Sequence, residues 1–209
     1  RFVWWGRTFL DTTGKVPLFP VKAMSFGVMA AFFIQAFGIG CQYVFLDGET
    51  GEKREYKVSA NPVLEGMYTI EMNAETLDEI SYFMTEHKEE YEKKELILYG
   101  NIPGLGYYLD KPPAVYTTWA YLNSNPLARL REDLNKLSAS LKGKEDELPL
   151  VILTPSLAAY LSGSEEAMAW WGVDIAACKE DEKLEAIWEF MKENAYEQVF
   201  VNEAYAIYE

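Results

Sequence analysis

The residues best suited to chemistry lie in one loop, 100–121, which follows an apolar segment and is rich in aromatic side chains. Aromatic faces beside amide and carboxylate groups suit a sugar, because a sugar ring presents apolar C–H faces and many hydroxyl groups. Two interpretations of the loop are open. Its aromatics cover a sheet edge or rest on a membrane surface, which is the commoner role of such side chains, or they contact a carbohydrate or a lipid-linked sugar. The candidate binding residues are Asn101, Tyr107, Tyr108, Asp110 and Trp119, and the loop also contains Tyr116 and Tyr121.

The common motifs for catalysis, metal binding and nucleotide binding are missing from the sequence. The glycines of the loop do not form G-x-G-x-x-G, and no Gly-Lys-Ser/Thr follows, which excludes a dinucleotide fingerprint and a P-loop. His87 is the single histidine and has no nucleophile motif beside it, so we interpret it as a packed helix residue. Cys41 and Cys178 are too few for a cysteine zinc site. The sequence predicts no catalytic residue, no metal and no cofactor, and leaves open whether the chain is part of an enzyme.

Alternating helical and strand patterns follow residue 62, and this order is typical of a doubly wound α/β sheet. In such sheets ligands bind beyond the carboxyl ends of the strands, which is where the aromatic loop leaves the first strand. The patterns predict helices from Asn73 to Tyr91, after a cap at Asn125, over 160–172 and over 181–194. They predict strands over 95–99 and 148–153, and one long strand or two short ones over 198–208.

The longest uncharged stretch, 23–46, contains 24 residues between Lys22 and Asp47. As a helix it would reach roughly 36 Å, enough to cross a hydrocarbon core of about 30 Å. We therefore expect a transmembrane helix, with two glutamines and a small-x-x-x-small pair that favour packing against other spans of the same chain. A cleaved signal peptide, a lipoprotein signal that ends at Cys41 and a buried helix of a water-soluble protein are the alternatives.

Charge is distributed unevenly along the chain, whose net charge is −14. Residues 1–46 carry +3 and residues 47–209 carry −17. Basic residues stay on the cytoplasmic side of a span, so we expect the chain in the cell membrane with residues 47–209 extracytoplasmic. An acidic domain binds nucleic acid poorly, because that affinity depends on Lys and Arg beside phosphates.

These patterns predict four segments. Residues 1–22 form a cytoplasmic or interfacial loop, 23–46 the transmembrane helix, 47–61 a juxtamembrane linker and 62–209 an extracytoplasmic domain. The predicted fold class is α/β, with one N-terminal transmembrane helix followed by a small three-layer, mostly parallel (Rossmann-like) domain. Because the sequence begins at Arg1 and not at Met, we expect it to be part of a longer protein.

Several short segments resemble a known family. They are Gly66-Met67-Tyr68-Thr69, the strand 96–99 that runs into Asn101-Ile102-Pro103-Gly104-Leu105, the segment 149–153, and Val199-Phe200-Val201-Asn202-Glu203.

Together these segments resemble the small α/β domain that follows the last transmembrane helix of bacterial polytopic GT-C-type glycosyltransferases. The resemblance covers about residues 62–208 and implies an accessory, non-catalytic domain of an enzyme that uses polyprenyl-phosphate-linked sugar, with the catalytic carboxylate in an earlier part of the protein. The implied partners are membrane lipid, the lipid-linked sugar or a glycan, and other transmembrane helices of the same chain. The alternative is a single-span envelope protein whose outer domain binds a glycan or a protein.

Overall fold

The structure is a computed structural model that describes residues 18–42, 53–144 and 147–209, with side chains for 23–38, 53–144 and 147–209. The predicted interfacial loop, apart from residues 18–22, and the first part of the predicted linker, up to residue 52, lie outside the described residues. The chain divides into two compact units, Arg1–Lys53 and Arg54–Glu209.

The first unit contains one described helix, α1, Leu18–Gln42. Within the described residues, the structure has no helix with the length and apolarity needed to cross a bilayer. The helix begins before the charged Lys22 and shares 20 residues, 23–42, with the predicted span of 24 uncharged residues. The predicted transmembrane helix is therefore wrong, and so is the membrane localisation with residues 47–209 on the outer side, which depended on it.

The second unit holds all the described strands. Its elements in chain order are β1 (Tyr56–Lys57), β2 (Tyr68–Thr69), α2 (Glu71–Glu86), α3 (Lys88–Tyr91), β3 (Leu96–Tyr99), α4 (Leu105–Tyr108), α5 (Leu127–Ser140), β4 (Leu150–Leu153), α6 (Pro155–Ser162), α7 (Glu165–Trp170), α8 (Ile175–Glu180), α9 (Glu182–Glu193), β5 (Gln198–Val201) and β6 (Ala206–Tyr208).

The main sheet has four strands in the order β3-β4-β6-β5, and β1 and β2 form a separate antiparallel pair. Strands β3 and β4 are parallel, with Ile97 opposite Val151. Strand β6 is antiparallel both to β4 and to β5. The sheet is therefore mixed, and the predicted mostly parallel, Rossmann-like fold class is wrong.

The turn between β5 and β6 explains the mixed sheet. The side chain of Asn202 accepts hydrogen bonds from the N–H groups of Ala204 and Tyr205, at 3.0 and 2.8 Å. The Asn202 N–H in turn donates to the Tyr205 carbonyl at 2.9 Å. Such an Asx-type turn reverses the chain within a few residues, so the last strand returns antiparallel instead of crossing over a face of the sheet.

Both faces of the sheet are covered, because β3 and β4 carry apolar side chains on both sides. Ile97, Tyr99, Val151 and Leu153 belong to one buried cluster, together with residues of α5, α6 and α9. Leu96, Leu98, Leu150 and Ile152 belong to the other, with residues of α2 and α4. A strand whose side chains are buried on both faces reads as a continuous apolar run, as 148–153 does.

Candidate functional site

The carboxyl ends of the parallel strands β3 and β4 lie side by side, and the chain leaves the two strands there at Gly100 and Thr154. Gly100 has a φ of 112°, a conformation that side-chain-bearing residues rarely adopt. A Cβ at this position would lie 2.7 Å from the Thr154 Cγ2 atom. The glycine thus allows the two strand ends to lie close together and directs Asn101 out of the sheet.

Three side chains from the predicted loop, those of Asn101, Trp119 and Tyr121, lie beside these strand ends. We call them the aromatic platform. The Tyr121 hydroxyl donates to the Asn101 Oδ1 atom at 2.8 Å. The rings of Trp119 and Tyr121 have centroids 6.2 Å apart, within the range of interacting aromatic pairs. Trp119 is 45% exposed, so much of its indole is open to solvent.

Lys183, in the first turn of α9, holds the loop that carries two members of the aromatic platform. Its ammonium group donates to the carbonyl oxygens of Ala120, Tyr121 and Leu122, at 3.2, 3.4 and 2.7 Å. Three carbonyls on one ammonium use all its donors, which fixes the backbone between Trp119 and Leu122.

Asp181 places the start of α9, and therefore Lys183, against the end of β3. Its carboxylate accepts from the N–H groups of Lys183 and Leu184, at 3.1 and 3.0 Å, as an N-cap. The same carboxylate accepts from the hydroxyl of Tyr99, the last residue of β3, at 2.6 and 2.8 Å. Burial, and then the hydrogen bond to this carboxylate, raise the pKa of Tyr99, so the phenol stays protonated and remains a donor.

The structure places the five predicted binding residues in different surroundings. Asn101 and Trp119 lie together in the aromatic platform. Tyr108 is buried, and its hydroxyl lies 2.5 Å from the Ser81 hydroxyl and 3.0 Å from the Leu77 carbonyl of α2, so its ring is part of the core. Tyr107, on the same short helix α4, is 78% exposed.

Asp110 lies in a second, separate surface. It has a φ of 51° and lines an open groove of about 400 Å³ between α2 and the segment that follows α4. In this groove the Lys111 ammonium donates to the backbone carbonyls of Tyr91, Glu92 and Lys94. Burial lowers the pKa of Lys111, with the nearby carboxylates of Glu92 and Asp110 acting in the opposite direction. This lysine is already used to hold the end of α3, so the groove presents no free ammonium from it.

The sequence hypothesis missed the residues that support the platform from elsewhere in the chain. Tyr121 is an aromatic residue of the loop outside the five predicted binding residues, and Asp181 and Lys183 lie about 60 residues beyond the loop in sequence. The acidic cap before an amphipathic helix was a readable signal for Asp181. No comparable signal links Lys183 to carbonyls so distant in sequence.

The three side chains of the aromatic platform offer groups that can contact a sugar. An indole face, a phenol and an amide offer stacking and neutral hydrogen bonding to a polyol. Among the described residues, no group of three or more His, Cys, Asp and Glu side chains is placed to hold a metal ion.

Comparisons with known proteins give no relative from which a function could be carried over. No protein-family model matches the chain, and no curated protein or solved structure matches it. The resemblance to the glycosyltransferase domain therefore stays a prediction.

Proposed function

We propose that this chain is a glycan-binding protein that holds a neutral sugar ring on the aromatic platform. The observation that carries the proposal is the half-exposed Trp119 ring beside Tyr121, whose hydroxyl bonds to Asn101 at the carboxyl end of β3. A sugar that stacks on the indole would bring its hydroxyl groups to the amide and the phenol.

The sugar would be uncharged at the contact. The three platform side chains are neutral, and the nearby Lys183 ammonium is taken up by three backbone carbonyls. A chain of net charge −14 also repels acidic sugars. For a polyprenyl-phosphate-linked sugar, we propose that the platform binds the ring and not the phosphate.

An accessory role beside a glycosyltransferase is a second candidate that the same site favours, since it too requires contact with a sugar. We propose only the sugar contact of that candidate. Its multi-pass membrane architecture required the span that the described residues lack.

Titration with a panel of neutral hexoses, N-acetylhexosamines and their disaccharides tests the proposal by calorimetry on the full chain. We expect millimolar to micromolar binding of at least one sugar, and at least a tenfold loss, equivalent to about 1.4 kcal/mol, in Trp119→Ala. Trp170→Ala is the matched control, because Trp170 lies on α7 and is 81% exposed. Equal affinities of the two variants, or no binding of any sugar at tens of millimolar, would contradict the proposal.

A further inference from the structure

The two edges of the main sheet differ in how they are protected. At the β3 edge, the Leu96 N–H donates to the Pro112 carbonyl at 3.0 Å, and the Ala114 N–H donates to the Leu96 carbonyl at 2.8 Å. The segment around Pro113 thus covers β3 like a short added strand. At the other edge lies β5, which pairs with β6 and with no further strand among the described residues.

The outer side of β5 presents backbone groups to solvent. Asn202 donates its N–H to Tyr205 across the turn, so by the alternation of an antiparallel ladder its neighbour Val201 directs its N–H and C=O away from β6. The side chains of Val199 and Val201 are 39% and 51% exposed. A bulge between Gln198 and Phe200 interrupts the ladder of β5, so a further strand would pair at the Val201 end of this edge.

An open groove of about 760 Å³ lies along this edge, between α2 and β5. Its apolar part is formed by Tyr82, Phe83, Trp171, Phe200 and Val201, and the Phe83 and Phe200 ring centroids are 4.8 Å apart. The ionisable lining is acidic, and no Lys or Arg is among the lining residues. The carboxylates are those of Glu75, Glu79, Glu86 and Glu203.

We propose that the open edge of β5 accepts an extended, basic segment of a partner protein. The segment would pair with the backbone of Val201. Its side chains on the α2 side would include aliphatic residues against Phe200 and Trp171 and Lys or Arg residues beside the carboxylates, while the intervening side chains face away from α2. This surface is distinct from the aromatic platform, and the inference does not depend on sugar binding.

A second copy of the chain fits this edge less well than a basic partner. Antiparallel pairing of two β5 strands about Phe200 would place Glu197 of one copy opposite Glu203 of the other. Like charges directly opposite each other in a ladder are destabilising. The acidic lining of the groove adds to this repulsion, whereas it attracts a basic segment.

Fluorescence polarisation of a labelled nine-residue peptide, Val-Thr-Lys-Thr-Val-Thr-Lys-Thr-Val, tests the proposal with the full chain, because one face of this strand carries both Val and Lys. We expect this peptide to bind at least tenfold more tightly than the same peptide with alternate backbone nitrogens methylated, which keeps the charge but blocks strand pairing. The same peptide with Glu in place of Lys should bind at least tenfold more weakly as well. Val201→Pro, which removes the outward N–H, should lose the binding, while Val201→Thr should keep it.

The methylated peptide acts on the unaltered protein, so the test stands even if Val201→Pro does not fold. Equal binding of methylated and unmethylated peptides would overturn strand addition. Equal binding of the Glu peptide would overturn the basic partner, and so would the absence of binding at millimolar concentrations of the Lys peptide. Self-association by light scattering that Val201→Pro abolishes and Val201→Thr retains would identify a second copy as the occupant instead.

Discussion

Lys183 is the single residue on which the geometry of the aromatic platform most depends. Its ammonium donates to three successive carbonyls, those of Ala120, Tyr121 and Leu122. Removal of the ammonium leaves these carbonyls without their shared donor and frees the backbone that positions Trp119. The platform therefore depends on a residue that has no direct contact with the proposed sugar.

We predict that Lys183→Met lowers the free energy of unfolding by about 1 kcal/mol and weakens sugar binding three- to tenfold. Urea unfolding and the sugar titration measure the two effects. Lys179→Met, at an exposed position on the neighbouring helix α8, should change neither quantity. A Lys183→Met variant with unaltered sugar affinity would show that the loop holds its shape without this lysine.

Helix α2 is joined to the segment before it by the side chain of Asp78. The carboxylate accepts from the Ser59 N–H, the Ser59 hydroxyl and the Ala60 N–H, at 2.9, 2.7 and 2.9 Å. Burial raises the pKa of Asp78, but these hydrogen bonds outweigh it, and the pKa lies below its usual value. A lowered pKa in the folded state means that the carboxylate stabilises the fold above the unfolded-state value of about 3.9, and that this contribution is lost as the pH falls through the folded-state pKa.

We predict that Asp78→Asn costs about 1 kcal/mol of unfolding free energy at pH 6 and less near pH 3, because the contribution of the carboxylate declines as the pH falls below the unfolded-state pKa and through the lower folded-state pKa. Urea unfolding at the two pH values measures the difference. Glu86→Gln, an exposed acid on the same helix, is the control and should show a smaller pH-dependent difference. A cost for Asp78→Asn that does not change with pH would contradict the assignment.

The helices and strands with strong apolar patterns could be predicted from the sequence, and their ends could not. Leu130 and Leu134 of the predicted leucine stripe are buried in α5. Asn125, however, is not the cap of that helix: its buried Nδ2 donates to the Ala120 carbonyl at 3.4 Å, and Pro126 occupies the cap position. Similarly, α2 begins at Glu71, so Asn73 lies inside the helix. Caps depend on a few local hydrogen bonds, which a periodic pattern does not specify.

At the scale of the whole molecule, sheet direction was the property that sequence patterns predicted wrongly. Alternating helices and strands indicate a parallel sheet only if every connection between strands crosses over a face of the sheet. The four-residue turn from β5 to β6 does not cross over, and these two strands are antiparallel. The aromatic platform, too, could be predicted only in part from the sequence. Asn101 and Trp119 belong to one loop and were predicted together, whereas Lys183 and Asp181 reach it through the packing of α9, which the loop sequence does not contain.

The two surfaces that we propose for binding differ in chemistry: one is the neutral aromatic platform and the other is the acidic, open edge of β5. The sugar-binding claim is the central one. Its most direct test follows the indole N–H signals of the six tryptophans in a nitrogen-15 spectrum of the full chain. The Trp119 signal is assigned as the one that disappears in Trp119→Ala, and the Trp170 signal likewise from Trp170→Ala.

We predict that a neutral sugar from the panel shifts the Trp119 signal with a saturable dependence on concentration and leaves the Trp170 signal in place. The physical reason is that a ring stacked on the indole changes the surroundings of its N–H, while an exposed tryptophan on α7 senses no contact. Saturable movement of another indole, with that of Trp119 unchanged, would place the sugar elsewhere and contradict the account.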